Sequence, residues 1–111
     1  MRSVEIIMKH MGFKSNHLGY KYIVKLINIG ISGKQILPLN SFGYTYLAKL
    51  YQKTTRSIAK NIENAISYVL TFGNTEFVYE VFKESINEES GKPTNKQFIM
   101  TLLDYILNYS K

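Results

Sequence analysis

The stretch between Thr54 and Gly73 has the most regular apolar pattern in the sequence. Thr54 is a suitable N-cap because its hydroxyl can accept a hydrogen bond from a first-turn N–H group, and Gly73 interrupts the pattern. The pattern therefore predicts an amphipathic helix over residues 55–72. The apolar residues fall at positions i, i+4, i+7, i+8, i+11 and i+12, and they are Ile58, Ile62, Ala65, Ile66, Val69 and Leu70.

A second helix is predicted directly before this one, over about residues 42–51, and a short polar turn at residues 52–54 joins the two. Ala48 is small where the helices of such a pair approach most closely, and the apolar Ile58 follows ten residues later. This spacing matches a helix-turn-helix, a motif that places its second helix in the major groove of DNA. The inward side chains of the first helix of this pair are expected to be Leu47, Ala48 and Tyr51.

Four further helices are predicted by the same criteria, and no segment has the alternation typical of a strand. The last helix begins with a Thr94-x-x-Gln97 capping box, in which each residue satisfies a backbone N–H group of the other. The expected fold is all-α, a single domain over residues 1–111 with about six helices, of which the third and fourth form the helix-turn-helix. The other predicted starting residues are Ser3, then Ser15 or Asn16, and Asn74.

Two connecting segments are distinguished by their composition. Residues 33–41 mix Gly33, Pro38 and Asn40 with apolar residues, so this segment is either a connector that packs on the core or a short helical turn. Residues 87–92 are expected to form a solvated loop, and Glu84 is expected on the polar side of the fifth helix.

Composition excludes several classes of protein. A hydrophobic share of 45% and a charged share of 20% are typical of a globular domain and not of a disordered segment. The chain has no cysteine, so neither a disulfide nor a thiolate metal site can form. The apolar run at the N-terminus is too short for a signal peptide, and no segment reaches the ~18 apolar residues of a membrane span. A cytoplasmic protein is therefore expected.

Charge is distributed unevenly along the chain. Residues 1–62 contain ten Lys or Arg and one acid, whereas residues 63–111 contain four Lys or Arg and seven acids. A positive field on one part of a protein attracts polyanions and supplies the sequence-independent part of nucleic-acid affinity. The alternative is a basic surface that is only solvated.

Four stretches carry a resemblance to a known family. They are residues 11–23 (MGFKSNHLGYKYI), residues 44–54 (YTYLAKLYQKT), Ala65-Ile66 followed by FGN at residues 72–74, and residues 92–99 (KPTNKQFI) with Asp104. In this order they resemble the C-terminal DNA-binding effector domain of the stage-zero sporulation response regulator of endospore-forming bacteria. The resemblance implies about six helices, with the fourth entering the major groove of double-stranded DNA.

The same resemblance implies further partners. Domains of this family bind short operator repeats, often as tandem copies, and act on RNA polymerase at the promoter. A homodimer on tandem sites and a contact with the sigma subunit of RNA polymerase are therefore expected. A phosphate-accepting receiver domain precedes the effector domain in full-length members. No receiver domain is expected in this chain, which is either a stand-alone relative or the effector part of a longer protein.

Candidate DNA contacts fall on the third helix, the turn and the fourth helix. The recognition helix of the family is rich in Arg, whereas here only Lys60 keeps a charge where the family has Arg. Lys lacks the fork that pairs bidentately with guanine, so we expect a different or weaker sequence preference. The candidate base contacts are Arg56, Ser57, Lys60, Asn61 and Asn64. The candidate phosphate contacts are Lys49, Lys53, Thr54 and Thr55.

The sequence contains no pattern that indicates an enzyme, a cofactor site or a metal site. His10 and His17 have no pair of acids nearby, and no nucleophile stands at a recognisable spacing from a base. The alternative function is a protein-interaction module of the same fold, such as a dimerisation partner or antagonist of a full-length regulator. The scarcity of Arg in the fourth helix and the wide apolar face of the last helix favour that alternative.

Overall fold

Six α-helices and one short π-helical segment make up the part of the chain that the structure, a computed structural model, describes: residues 3–82 and 91–109. No strand occurs within these two ranges, so the predicted all-α class is confirmed. Residues 87–90 of the loop predicted at residues 87–92, and the position of Glu84, lie outside the described residues. The helices are α1 (Val4–Met11), α2 (Leu18–Ile31), α3 (Tyr44–Tyr51), α4 (Thr55–Phe72), α5 (Thr75–Phe82) and α6 (Asn95–Tyr109).

The helix ends are fixed by local hydrogen bonds that the sequence predicted. The Thr54 hydroxyl accepts from the backbone N–H of Ser57 at 3.0 Å, so α4 begins where expected. The capping box of α6 forms in both directions, with 2.8 Å from Thr94 N to Gln97 Oε1 and 3.1 Å from Gln97 N to Thr94 Oγ1. Ser3 and Asn74 cap α1 and α5 in the same way.

Helix α2 differs from its prediction at its start and in its buried face. It begins at Leu18 and its N-cap is His17, because residues before it form a turn in which His17 N donates to Lys14 O at 3.1 Å. The apolar spacing predicts a buried stripe of Tyr20, Ile23, Val24 and Ile27, extended at most to Ile31. Tyr22 and Leu26 are buried as well. The reason is that α2 is covered from several directions, by α1, α4 and α6, so its buried surface is wider than one stripe.

The undecided segment at residues 33–41 combines both of the predicted possibilities. Ile36 is buried as part of a connector, a cis peptide bond precedes Pro38, and a π-helical segment, Leu39–Gly43, then leads into α3. Helix α3 consequently begins at Tyr44 and not near residue 42, and Phe42 is left 45% exposed.

Helix α4 lies at the centre of the packing. It contacts α2, α3, α5 and α6, and its predicted apolar stripe faces one continuous core. Four side chains of that stripe have no exposed surface, and Leu70 is partly buried. No helix among the described residues is long and apolar enough to cross a membrane. The fully buried members of the stripe are Ile58, Ile62, Ile66 and Val69.

Helices α2 and α4 cross in close contact at Gly19. A Cβ atom placed on Gly19 would overlap the carbonyl oxygen of Asn61 and would lie 2.6 Å from the Cβ of Ala65. The two backbones are therefore in direct contact, which only glycine permits at this position.

We predict that Gly19→Ala lowers the free energy of unfolding by at least about 2 kcal/mol, because overlap with backbone atoms forces the helices apart. Urea unfolding followed by circular dichroism measures this change. Gly30→Ala is the matched control within α2, since its Cβ would meet only the end of the Leu103 side chain, at 2.7 Å, which can move. Equal midpoints for Gly19→Ala and the parent would contradict the direct contact of α2 and α4.

Candidate nucleic-acid interface

A tight turn joins α3 to α4. Gln52 ends α3 in the left-handed region, at φ 55° and ψ 49°, and Lys53 N donates to Ala48 O at 2.9 Å. Leu47 is fully buried, while Ala48 and Tyr51 are partly buried against the core, so the inward side of α3 is the predicted one. This packing holds the start of α4 against α3 and leaves the opposite side of α4 exposed.

The exposed face of α4 is divided lengthwise into two sides. The side nearer to α6 is an open depression of about 390 Å³. The side nearer to α2 is an open depression of about 370 Å³ that also touches the N-terminal end of α2. We call them the α6 side, formed by Arg56, Ala59, Lys60 and Glu63, and the α2 side, formed by Asn61, Asn64 and Tyr68.

The α2 side contains two of the predicted base-contact residues with different freedom. The Asn61 side-chain amide is partly buried and donates to the Ser57 carbonyl at 2.9 Å. The amide also approaches the Ser57 hydroxyl at 3.4 Å. Asn64 is exposed and faces solvent. The rings of His17 and Tyr68, 5.1 Å apart and nearly perpendicular, close the end of this side. The Asn64 amide is thus exposed to a ligand, whereas the Asn61 amide would first have to break its hydrogen bond to the Ser57 carbonyl.

The α6 side carries two cations followed by one acid. Arg56 and Lys60 are exposed, and Glu63 is the only acid in the sequence between Glu5 and Glu76. The carboxylate of Glu63 lies 3.9 Å from Lys60 Nζ and 3.8 Å from Lys92 Nζ.

Lys92 is a cation at this surface that the sequence did not assign. It comes from the segment before α6, and its ammonium group also donates to the Ser67 hydroxyl, one turn beyond Glu63. No local pattern around Lys92 indicates this position, because the contact joins residues 25 positions apart.

Asn95 is the second residue at this site that sequence reasoning missed. Its side-chain amide donates to the Tyr44 hydroxyl at 3.1 Å and to the Ala59 carbonyl at 3.0 Å. One amide therefore ties the start of α6 to the start of α3 and to the first half of α4. The Asn95 amide is engaged by these two partners within the fold, so its role at this site is to position α4.

The predicted phosphate contacts cluster at the turn. Lys49, Lys53 and Thr55 are exposed, whereas the Thr54 hydroxyl is already engaged in capping α4. Within residues 3–82 and 91–109, no group of three or more His, Asp or Glu side chains could hold a metal ion.

A bundle of helices in which a tight turn presents a basic, exposed helix is the architecture of a helical DNA-binding domain. Residues 4–106 match the family model described as "Sporulation initiation factor Spo0A C terminal". The chain belongs to this family, and the resemblance predicted from the sequence is confirmed. The family is the DNA-binding effector domain of a sporulation transcription factor and is not a family of enzymes, so the chain is a DNA-binding domain of the transcription-regulator class.

We predict that Asn95→Ala lowers the free energy of unfolding by about 1 to 2 kcal/mol, because the Tyr44 hydroxyl and the Ala59 carbonyl lose their donor. Combining it with Tyr44→Phe in a double-mutant cycle should give a coupling energy of at least about 0.5 kcal/mol. Asn108→Ala is the control, since its amide donates to Asp104 of the same helix at an exposed position. Strictly additive effects would contradict the contact between Asn95 and Tyr44.

Alkaline unfolding provides a second prediction. Burial, together with the charge of Glu63, raises the pKa of Tyr44 above its ordinary 10.0, against the opposing effect of the Asn95 hydrogen bond. Above pH 10 the unfolded chain loses this proton before the folded one does, so stability present at lower pH is lost as pH rises. Urea midpoints measured across this range should fall less steeply for Tyr44→Phe than for the parent. Parallel curves would contradict the raised pKa.

Proposed function

We propose that the chain binds specific sequences in double-stranded DNA, with α3 and α4 acting as a helix-turn-helix and α4 lying in the major groove. The observation that carries this proposal is the long, polar and basic exposed face of α4, which lies beside Lys49 in the last turn of α3 and Lys53 in the turn that follows. A helix with its side chains is about 10 to 12 Å across, which suits a major groove about 12 Å wide.

Different exposed residues of α4 contact different bases. Arg56 pairs with the two acceptors of guanine, Lys60 reaches a guanine acceptor, and Asn64 pairs with adenine. Ser57 and Asn61 join them if Asn61 exchanges its bond to the Ser57 carbonyl for one to a base. Each good contact contributes about 1 to 3 kcal/mol of discrimination.

The turn supplies contacts that fix the register without reading sequence. Lys49 and Lys53 neutralise phosphates, and Thr55 donates its hydroxyl to one. Thr54 contributes through the helix start that its side chain caps, where free N–H groups favour an anion.

The regulatory partners follow from the family relation. We propose that residues 1–111 act as one effector domain in the cytoplasm, bind tandem operator repeats as a homodimer, and contact the sigma subunit of RNA polymerase at the promoter. The motivating feature is the family match over residues 4–106.

A second candidate function is a protein-interaction module of the same fold. The apolar face of α6 that suggested it is largely used by the core, since Phe98, Ile99 and Leu102 have no exposed surface. A different observation now favours it: Phe42, Tyr46 and Leu50 are each nearly half exposed at a spacing of one helical turn. Aromatic and aliphatic side chains in such a row suit a protein partner.

We predict that Lys60→Glu and Arg56→Glu each weaken operator binding at least about 100-fold, because a cation is replaced by an anion that faces the DNA. Both side chains are exposed, so the melting temperature should change by less than a few degrees. Lys34→Glu, beyond the far end of α2, is the control with the same charge change. If these α4 variants shift operator DNA as well as the parent does, α4 is not the recognition helix.

Selection from a random duplex library, followed by salt titration of the selected and random sequences, separates the two functions. A sequence-specific binder enriches a motif and binds it more tightly than random DNA at equal salt. Selection that enriches no motif would favour the protein-interaction module.

A further inference from the structure

Glu63 is an acid on a surface that is otherwise built to face a polyanion. Its side chain is 48% exposed at the middle of α4, with Arg56 and Lys60 before it on the same side. A carboxylate in such a place repels phosphates, so it cannot serve as a backbone contact. In a DNA groove it is favourable where it meets a hydrogen-bond donor.

The charged side chains on the α6 side extend over a length of helix that corresponds to several base pairs. Arg56, Lys60 and Glu63 fall at i, i+4 and i+7, one above another along the helix. Seven residues span about 10 Å at 1.5 Å each, which is about three base-pair steps of 3.4 Å. Ala59 lies between them and leaves the depression open to a base edge.

Two lysines orient the carboxylate without using up its acceptor capacity. Lys60 Nζ lies 3.9 Å from Oε2 and Lys92 Nζ lies 3.8 Å from Oε1. Both separations are longer than a hydrogen bond, so each oxygen keeps lone pairs for another donor. The ammonium groups also reduce the repulsion between the carboxylate and nearby phosphates.

The donor and acceptor pattern of the major groove selects one base for a carboxylate. Guanine presents N7 and O6, thymine presents O4, and adenine presents N7 beside its amino group, so each of these offers an acceptor that repels the carboxylate. Cytosine presents only its N4 amino group, which is a donor.

We propose that Glu63 is a specificity-determining residue that accepts a hydrogen bond from the N4 amino group of a cytosine in the major groove. This inference rests on the proposed function, because it requires α4 to lie in that groove. It assigns a base preference to a position of α4 that none of the five predicted base contacts occupies.

The experiment is selection from a random duplex library with the 111-residue chain and its Glu63→Ala and Glu63→Gln variants. Affinities for the selected duplex and its single-base variants are then measured at one salt concentration. The parent should prefer cytosine at one position by about 5- to 150-fold. Glu63→Ala should lose that preference alone, and Glu63→Gln should move it to adenine, with which Gln pairs.

Controls separate specificity from charge and from folding. Glu76→Gln changes the net charge as Glu63→Gln does but lies on α5, so its motif should equal that of the parent. Thermal melting checks that the exposed Glu63 variants remain folded.

Three results would overturn the inference. Unchanged motifs for both Glu63 variants, with tighter binding to all duplexes, would mean that Glu63 only offsets the two lysines. If a folded Glu63 variant lost binding equally to every duplex, Glu63 would contribute to affinity and not to the choice of base. If the parent chain enriched no motif, sequence-specific DNA binding itself would be contradicted. In the other two results the parent still enriches a motif, so only the role of Glu63 would be contradicted.

Discussion

The direct contact between the backbones of α2 and α4 is the constraint on which the rest of the structure depends. Gly19 lets the Asn61 carbonyl and the Ala65 side chain approach α2 without an intervening side chain. That approach presses one side of α4 into the core, where Ile58 and Ile62 are fully buried. Because a helix turns by about 100° per residue, burial of that side fixes which residues face outward. The interface is therefore a consequence of how closely two helices pack.

The outward face is completed by residues far away in the chain. Asn95 joins α6 to α3 and α4 through one amide, and Lys92 places its ammonium group beside Glu63. Lys92 adds a further cation to the charged α6 side of α4, whereas Asn61 and Asn64 give the α2 side an uncharged, amide-rich character. The exposed face of α4 thus has two chemically different sides.

Family membership and base preference belong to different parts of the molecule. The fold and the DNA-binding class follow from the family match, which rests on features spread over residues 4–106. In the proposed function, discrimination between bases rests on a few exposed side chains of α4, and the sequence comparison with the family predicts a departure from its Arg-rich pattern at these positions. The fold positions Lys60 and Glu63, but its core does not depend on them, since both side chains are exposed. The same fold is therefore compatible with a different operator preference.

The sequence by itself determined the presence of the helices, the N-caps of α1, α4, α5 and α6, and the buried stripe of α4, because these depend mainly on interactions within about four residues. Thr54 and the Thr94–Gln97 pair are examples, since each hydrogen bond closes inside one helical turn. Only the tertiary structure decided that Asn95 holds α4 and that Lys92 faces Glu63. Asn95 and Ala59 are 36 positions apart in the sequence, and Lys92 and Glu63 are 29 positions apart. Local patterns encode which side of a helix is buried, but packing between distant segments decides which residues meet there.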